Sequence, residues 1–253
     1  MMKRNTLFLL VLFAVISPLS GEPITYEGDL GVNWTIGEEL IVIENDRKKK
    51  RTEYKYSTIN EYFLNYIQMD NKDKKWLMLK SEHILFIYEK GKEGELFFGT
   101  NPETVLSKEL IIRSRDFGAS SSLTEGKKHY SPESLGMSEL EKPWVEGVEG
   151  DGIGEKFFFT RKKRVKNLYF FNGYVSYDKP YLYEFNNRVK EVVIYDELDP
   201  SFEKIVRLED TPRPQKIEIE GEKLRKLKIE IRDVYEGSKW DDTCINFILI
   251  EMF

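Results

Sequence analysis

The chain has 253 residues, which is enough for one large domain or two small ones. It carries 39 Lys and Arg against 44 Asp and Glu, so its formal net charge at pH 7 is −5. Because release of counterions from phosphates needs a basic excess, this balance argues against nucleic acid as the main partner.

The first 21 residues predict an export signal. Lys3 and Arg4 precede the apolar run TLFLLVLFAVI, which ends in the small-residue and proline segment SPLSG. This order is typical of a signal peptide, and the run is too short for a permanent membrane span. We expect a signal peptide at 1–21 with cleavage near Gly21; an uncleaved N-terminal anchor is the alternative. The mature protein would be periplasmic, cell-surface or extracellular and would not span the membrane.

A single cysteine, Cys244, excludes a disulfide within the chain. A lone thiol suits a small buried apolar position. Export without disulfides favours a bacterial source.

Residues 22–113 predict a β-rich domain of unassigned function. EELIVIEN and RTEYKYSTI favour strands, whereas NEYFLNYIQM fits either a strand or a short helix. KKWLMLKSEHILFIYEK and GELFFGT add further strand-like runs. We expect an antiparallel meander that forms a sheet or a small barrel.

Residues 114–139 are rich in Ser, Gly and charge and show little periodicity, which predicts a linker. Residues 140–253 then show short apolar runs separated by turn segments such as DTPRP, which favours an antiparallel sandwich or jelly roll. KIEIEG and LKIEIRD alternate, so each should bury one face. The predicted fold class is therefore all-β, with a jelly-roll sandwich after a smaller antiparallel β-domain.

The stretch WVEGVEGDGIGEKFFF, from Trp144 to Phe159, raises the question of a phosphate-binding loop. Gly150, Gly152 and Gly154 are spaced two apart, which does not fit the dinucleotide fingerprint G-x-G-x-x-G. No buried strand precedes them, and no Lys-Ser or Lys-Thr pair follows. We interpret the glycines as turn formers before a strand that begins at KFFF, with Trp144 in the core.

An ordered series of motifs runs through the last block: Trp144–Gly147, Asp151–Glu155, Asn172–Tyr174, Asn187–Arg188, Leu208, Asp210, Gln215 and Ile229–Ile245. The series resembles the discoidin-like glycan-binding domain named after the secreted bacterial NAD glycohydrolases. The resemblance implies a β-sandwich that binds carbohydrate or another surface ligand, and it does not extend to the catalytic domain of those toxins. One departure is that Asn246 and Phe247 stand where the family often has Ser-Glu.

Sugar recognition combines aromatic faces, which cover the apolar faces of the rings, with polar side chains that pair with hydroxyls. Two loop-rich segments, NGYVSYDKPYLYEFNNR and DVYEGSKWDDT, offer that mixture. A scaffold role is the alternative, in which side chains such as Asn187 and Arg188 tie loops to carbonyls or carboxylates. The predicted ligand-binding residues are Asn172, Tyr174, Tyr177, Asn187, Arg188, Tyr235, Trp240 and Asp241.

No metal or cofactor is expected. Asp233, Asp241 and Asp242 could supply oxygen ligands to calcium, but solvated turn carboxylates are the favoured interpretation. The two histidines, His83 and His129, have no partner at metal-binding spacing.

The sequence contains no nucleophile elbow, H-E-x-x-H or Walker motif. We expect a non-catalytic exported bacterial protein that binds glycans or a glycosylated surface. A protein–protein interaction module of the cell envelope and an enzyme with an unrecognised N-terminal catalytic domain are the two alternatives.

Overall fold

The structure is a computed structural model that describes residues 23–28, 31–70, 75–92, 94–99, 111–112, 116–161, 164–219 and 226–253. The predicted signal peptide at 1–21 lies outside these residues.

The N-terminal unit is a closed antiparallel barrel in which each strand pairs with the next and the first pairs with the eighth. Its strands are β1 Ile24–Glu27, β2 Val32–Ile36, β3 Leu40–Asn45, β4 Lys50–Glu61, β5 Leu64–Met69, β6 Lys75–Lys80, β7 Ile84–Glu89 and β8 Glu95–Gly99. The predicted antiparallel β-domain is confirmed. The ambiguous stretch NEYFLNYIQM forms the end of β4, a two-residue turn and β5.

Two buried faces explain the unbroken apolar runs of the barrel strands. Along β6, Trp76 contributes to the barrel interior, whereas Leu77 and Leu79 belong to a second apolar cluster outside it. Side chains alternate between the two faces of a strand, so a strand covered on both sides reads as continuously apolar. The run ILFIYE in β7 follows the same rule, with Leu85 inside and Phe86 outside.

Within its described residues, the C-terminal unit is built from short and long strands with one 3₁₀ helix, Pro132–Gly136, and one α-helix, α1 Leu182–Phe185. Neither helix is long and apolar enough to cross a bilayer, and the described ranges contain no other candidate span. The strands are β9 Ile111–Ile112, β10 Gly118–Ala119, β11 Thr124–Glu125, β12 Lys128–His129, β13 Trp144–Val145, β14 Lys156–Thr160, β15 Val165–Asn172, β16 Asn187–Asp196, β17 Asp199–Arg207, β18 Gln215–Glu218, β19 Lys226–Tyr235 and β20 Thr243–Met252.

These strands form the two layers of a sandwich. One layer runs β10-β14-β19-β16-β17, and the other holds β15, β18 and β20 with the short β9 and β13. The layers join where β16 runs parallel to β20 at Asn187–Thr243 and Arg188–Cys244. The predicted all-β sandwich is confirmed.

The sandwich core lies between the layers. The isoleucines of β18 and β19, such as Ile217 and Ile229, are buried, so both alternating segments bury one face as expected. Trp144 is fully buried against Phe157, and KFFF begins β14. Cys244 is a buried free thiol, as its isolation predicted.

The barrel packs on the outer face of the layer that contains β15 and β20. Phe171 and Phe247 stack at 3.9 Å between ring centroids, and Phe86 of the barrel lies 5.5 Å from Phe247. Tyr177 donates a hydrogen bond from its hydroxyl to the Lys75 carbonyl at 2.9 Å. The two units therefore share an apolar interface.

The segment predicted as a linker belongs to the sandwich over its described part, residues 116–139. β10 pairs with β14, and the side chains of Phe117 and Leu135 sit in the sandwich core. Its few large apolar residues are spaced too irregularly to produce a periodic pattern. The boundaries 114–139 and 140–253 are corrected accordingly.

Candidate functional site

A ledge forms at one end of the sandwich where α1 meets the loop between β19 and β20. The backbone N–H of Ser238 donates to the Glu184 carbonyl at 3.0 Å, and that of Trp240 donates to the Phe185 carbonyl at 2.8 Å. These bonds use carbonyls at the end of the helix, which have no partner within it. The loop is thereby fixed against the helix.

Three aromatic side chains line this ledge, and we call them the aromatic row: Tyr181, Phe185 and Trp240. The ring centroids of Tyr181 and Phe185 are 5.1 Å apart, and those of Phe185 and Trp240 are 5.6 Å apart. All three side chains are partly exposed. The Lys239 ammonium lies 4.4 Å from the Trp240 ring centroid. The row thus offers apolar rings beside a cation.

Arg188 lies beneath the ledge and holds it together. Its guanidinium forms a two-point contact with Asp210, at 3.1 Å from Nε and 2.7 Å from Nη2. Nη1 donates to the carbonyls of Asn186 and Glu236. Burial alone would lower the pKa of Arg188, but its hydrogen bonds and charge interaction with Asp210 outweigh burial and raise it. Arg188 therefore stays charged and ties the helix end to the loop.

Asn187 joins three segments around the same ledge. Its Nδ2 donates to the Asp151 carboxylate at 2.9 Å and to the Asp241 carbonyl at 2.8 Å, while its Oδ1 accepts from the Gly237 N–H at 2.6 Å. A Cβ at Gly237 would lie 2.4 Å from the Phe185 carbonyl oxygen, so only glycine allows this approach.

Asn172, Tyr174 and Tyr177 also make internal contacts. Asn172 is fully buried and exchanges two hydrogen bonds with the Val189 backbone. The Tyr174 hydroxyl accepts from Lys128 at 2.7 Å, and burial raises its pKa. Tyr177 lies in the interface with the barrel.

Burial divides the eight predicted ligand-binding residues into two groups. Five are less than a tenth exposed and engaged inside the protein: Asn172, Tyr174, Tyr177, Asn187 and Arg188. Their polar groups bond within the protein, as the scaffold alternative predicts. Tyr235 and Trp240 are partly exposed and Asp241 is exposed, so for these three a ligand contact stays a prediction.

Phe185 and Lys239 of the ledge were missed in the sequence, and Tyr181 was not separated from its neighbouring tyrosines. A weak signal was present, because Tyr181 and Phe185 are four residues apart and share one side of a helical turn. A helix with four residues is too short to be recognised from periodicity, so that spacing could not be used.

The glycine-rich stretch lies behind the ledge and surrounds a buried carboxylate. Glu146 is fully buried and accepts from the N–H groups of Thr243 and Val148, at 3.1 and 2.9 Å. Burial raises its pKa to about 7, and the two backbone donors only partly offset this. The stretch therefore anchors the start of β20 and is not a phosphate-binding loop.

The acidic loop side chains do not converge. Asp233 pairs with Lys190 at 2.5 Å, and Asp241 points to solvent. Within the described residues, no group of three or more His, Cys, Asp or Glu is arranged to hold a metal ion.

Several solved structures resemble the sandwich. A family 32 carbohydrate-binding module from C. perfringens NanJ, solved in complex with galactose, has 14% identity and a TM-score of 0.41, over 56% of this chain and 97% of that one. A second family 32 module, CBM32-3 of a family 31 glycoside hydrolase from Clostridium perfringens, has 11% identity and a TM-score of 0.42, over 57% of this chain and 96% of that one. The translocation domain of the Streptococcus pyogenes NAD+-glycohydrolase has 22% identity and a TM-score of 0.31, over 45% and 94%. No curated protein matches the chain.

The strand topology and the loops at the end of the sandwich define the class: an all-β protein in which a barrel is followed by a sandwich of the discoidin type. The model of the NAD glycohydrolase translocation F5/8 type C domain matches residues 112–251, which is more than half of the chain. The chain therefore belongs to the NAD glycohydrolase translocation F5/8 type C domain family, and the predicted resemblance is confirmed.

Proposed function

We propose that this is an exported bacterial protein that binds glycans without catalysis, through the aromatic row of its discoidin-like domain. The observation that carries the proposal is the row itself: three partly exposed rings, held on a ledge by buried polar contacts, at one end of the sandwich. Rings of this kind cover the C–H faces of sugars, and neighbouring charged groups pair with hydroxyls.

Lys239 and Asp241 supply the polar part of the proposed contact. Both are exposed and flank Trp240 in the sequence, so a sugar over the ring would lie within reach of a donor and an acceptor. The buried Asn187 and Arg188 act as positioning residues, because they fix the backbone on which Trp240 and Phe185 stand.

A glycan array probed with the purified chain tests the proposal. We expect Trp240→Ala and Phe185→Ala each to weaken binding about tenfold, which corresponds to about 1.4 kcal/mol. Phe253→Ala is the matched control, because Phe253 is also an exposed aromatic residue. It follows the last residue of β20, whereas the loop with Trp240 precedes the first, Thr243. At 3.3 Å per residue, the strand separates the two ends by roughly 30 Å.

Two results would overturn the proposal. One is the absence of glycan binding by the unaltered chain, together with capture of an envelope protein that survives deglycosylation, which would favour the protein-interaction alternative. The other is conversion of a bound glycan, detected by mass spectrometry after incubation, which would favour the enzyme.

A further inference from the structure

The turn between β4 and β5 has an unfavourable composition for its geometry. Glu61 pairs with Leu64, so Tyr62 and Phe63 alone form the turn, with φ of 47° and 70°. Two-residue turns with positive φ at both positions strongly favour Asn-Gly or Asp-Gly. A side chain in the left-handed region costs roughly 1–2 kcal/mol per residue. This turn accepts that cost twice and presents two large rings.

The two rings reach from the barrel to the aromatic row. The Tyr62 ring lies 6.2 Å from that of Tyr181 and 6.4 Å from that of Phe185, both edge to face. The Phe63 ring lies 5.8 Å from that of the buried Tyr183. The turn therefore extends the row across the boundary between the two units.

Docking of the barrel does not account for these rings. The interface already buries Phe86, Phe171 and Phe247 completely, whereas Tyr62 and Phe63 remain 47% and 48% exposed. A ring that only joined two domains would be covered by them. Large exposed rings grouped on one surface are typical of a binding site.

We propose that the turn Tyr62–Phe63 and the aromatic row form one composite site, whose ligand is an oligosaccharide longer than a single sugar ring. This inference rests on the proposed glycan binding. Four exposed or partly exposed rings are contiguous: Tyr62, Tyr181 and Phe185 form a cluster, and Trp240 adjoins it beside Phe185. This surface is wider than one pyranose. The barrel then selects for chain length, while the sandwich supplies the charged groups beside Trp240.

The test uses the full chain on a glycan array that includes length series of N-acetyllactosamine repeats and chito-oligosaccharides. The variant is Tyr62→Asn with Phe63→Gly, which replaces the rings by the residues that the turn geometry favours. The fold should therefore be kept, with a thermal midpoint equal to or above that of the unaltered chain. We expect binding of the longest responding oligosaccharide to fall at least tenfold and the dependence on length to disappear.

Lys49→Gly is the matched control. Lys49 has the same φ of 47° but lies at the opposite end of β4, so glycine relieves similar strain without altering the rings. Its binding should equal that of the unaltered chain.

The outcomes separate this inference from the proposed function. If Trp240→Ala loses binding but the turn variant binds every length normally, the composite site is overturned and glycan binding stands. An equal loss in Lys49→Gly would also overturn it, because the effect would then follow the barrel's stability. If the unaltered chain binds no glycan, both ideas fail together.

Discussion

At the scale of single residues, the polar side chains of the motifs form hydrogen bonds within the protein. Arg188, Asn187 and Asn172 were predicted to contact a ligand, and in the structure each bonds to backbone groups within the protein. Arg188 and Asn187 also bond to the carboxylates of Asp210 and Asp151. The sequence could not separate these roles, since an Asn or Arg between turn residues has the same pattern whether its partner is a sugar hydroxyl or a carbonyl. Their burial depends on loops that come from distant parts of the chain.

Replacing Arg188 by Leu should lower the free energy of unfolding by about 3 kcal/mol, because removing one partner leaves the Asp210 carboxylate uncompensated. Denaturant unfolding measures the change. Lys142→Met is the control: Lys142 pairs with Glu139 at 2.8 Å, both side chains are exposed, and the removal of this lysine should change stability by less than about 0.5 kcal/mol. Equal effects in the two variants would contradict the structural role of Arg188.

Glu146 should make stability depend on pH. Its pKa is about 7 in the folded chain against an ordinary value of 4.5, so the folded state holds the proton more tightly. This contribution to stability is complete below pH 4.5 and is lost as the pH rises to about 7.

The difference in unfolding free energy between the unaltered chain and Glu146→Gln should therefore fall over that interval and level off above it. Denaturant unfolding at a series of pH values measures the difference. Glutamine does not titrate and retains the size of the side chain, although it cannot accept from both backbone donors. Parallel curves for the two proteins would rule out the titration of Glu146.

At the scale of elements, local sequence patterns predicted the strands correctly where a single packing partner decides which residues are buried. The alternation in β18 and β19 and the start of β14 at KFFF were predicted correctly. The sequence of the β4–β5 hairpin fits either a strand or a helix, because its turn is Tyr-Phe and carries none of the usual turn residues. Turn formation there depends on pairing with the neighbouring strands.

Within the glycine-rich stretch, Gly152 and Gly150 should respond differently to alanine. Both have positive φ, 66° and 93°, but a Cβ at Gly152 would lie 2.5 Å from Glu146 Cγ, whereas one at Gly150 would meet nothing within 4 Å. We expect Gly150→Ala to cost about 1 kcal/mol and Gly152→Ala about 1–3 kcal/mol more. Thermal unfolding compares the two variants. Similar costs would mean that the space around Glu146 is not restricted.

At the scale of the whole molecule, the barrel covers a face of the sandwich that would otherwise be exposed. Phe247 stands where the resemblance to the family implies a carboxylate, and its ring is fully buried against Phe171 and Phe86. A charge at that position would be buried without a partner. The departure from the family pattern thus has a structural reason, which is the docking of the barrel.

The two units should unfold in one transition that depends on this interface. Phe86→Ala removes a fully buried ring and should cost about 3–5 kcal/mol, splitting the calorimetric peak into two. Phe86→Leu keeps an apolar contact and should leave one peak at a lower midpoint. A single shifted peak in the alanine variant would show that the units are coupled by other contacts.

The sequence by itself determined the all-β class, the sandwich and its family, because strand periodicity and ordered motifs are local and survive without knowledge of partners. Only the tertiary structure decided the rest. It showed that the barrel closes, that both faces of β7 and β20 are covered, that residues 116–139 join the sandwich, and that Tyr62 lies beside Tyr181. The reason is that each of these facts depends on contacts between residues far apart in the chain, on which local periodicity has no bearing.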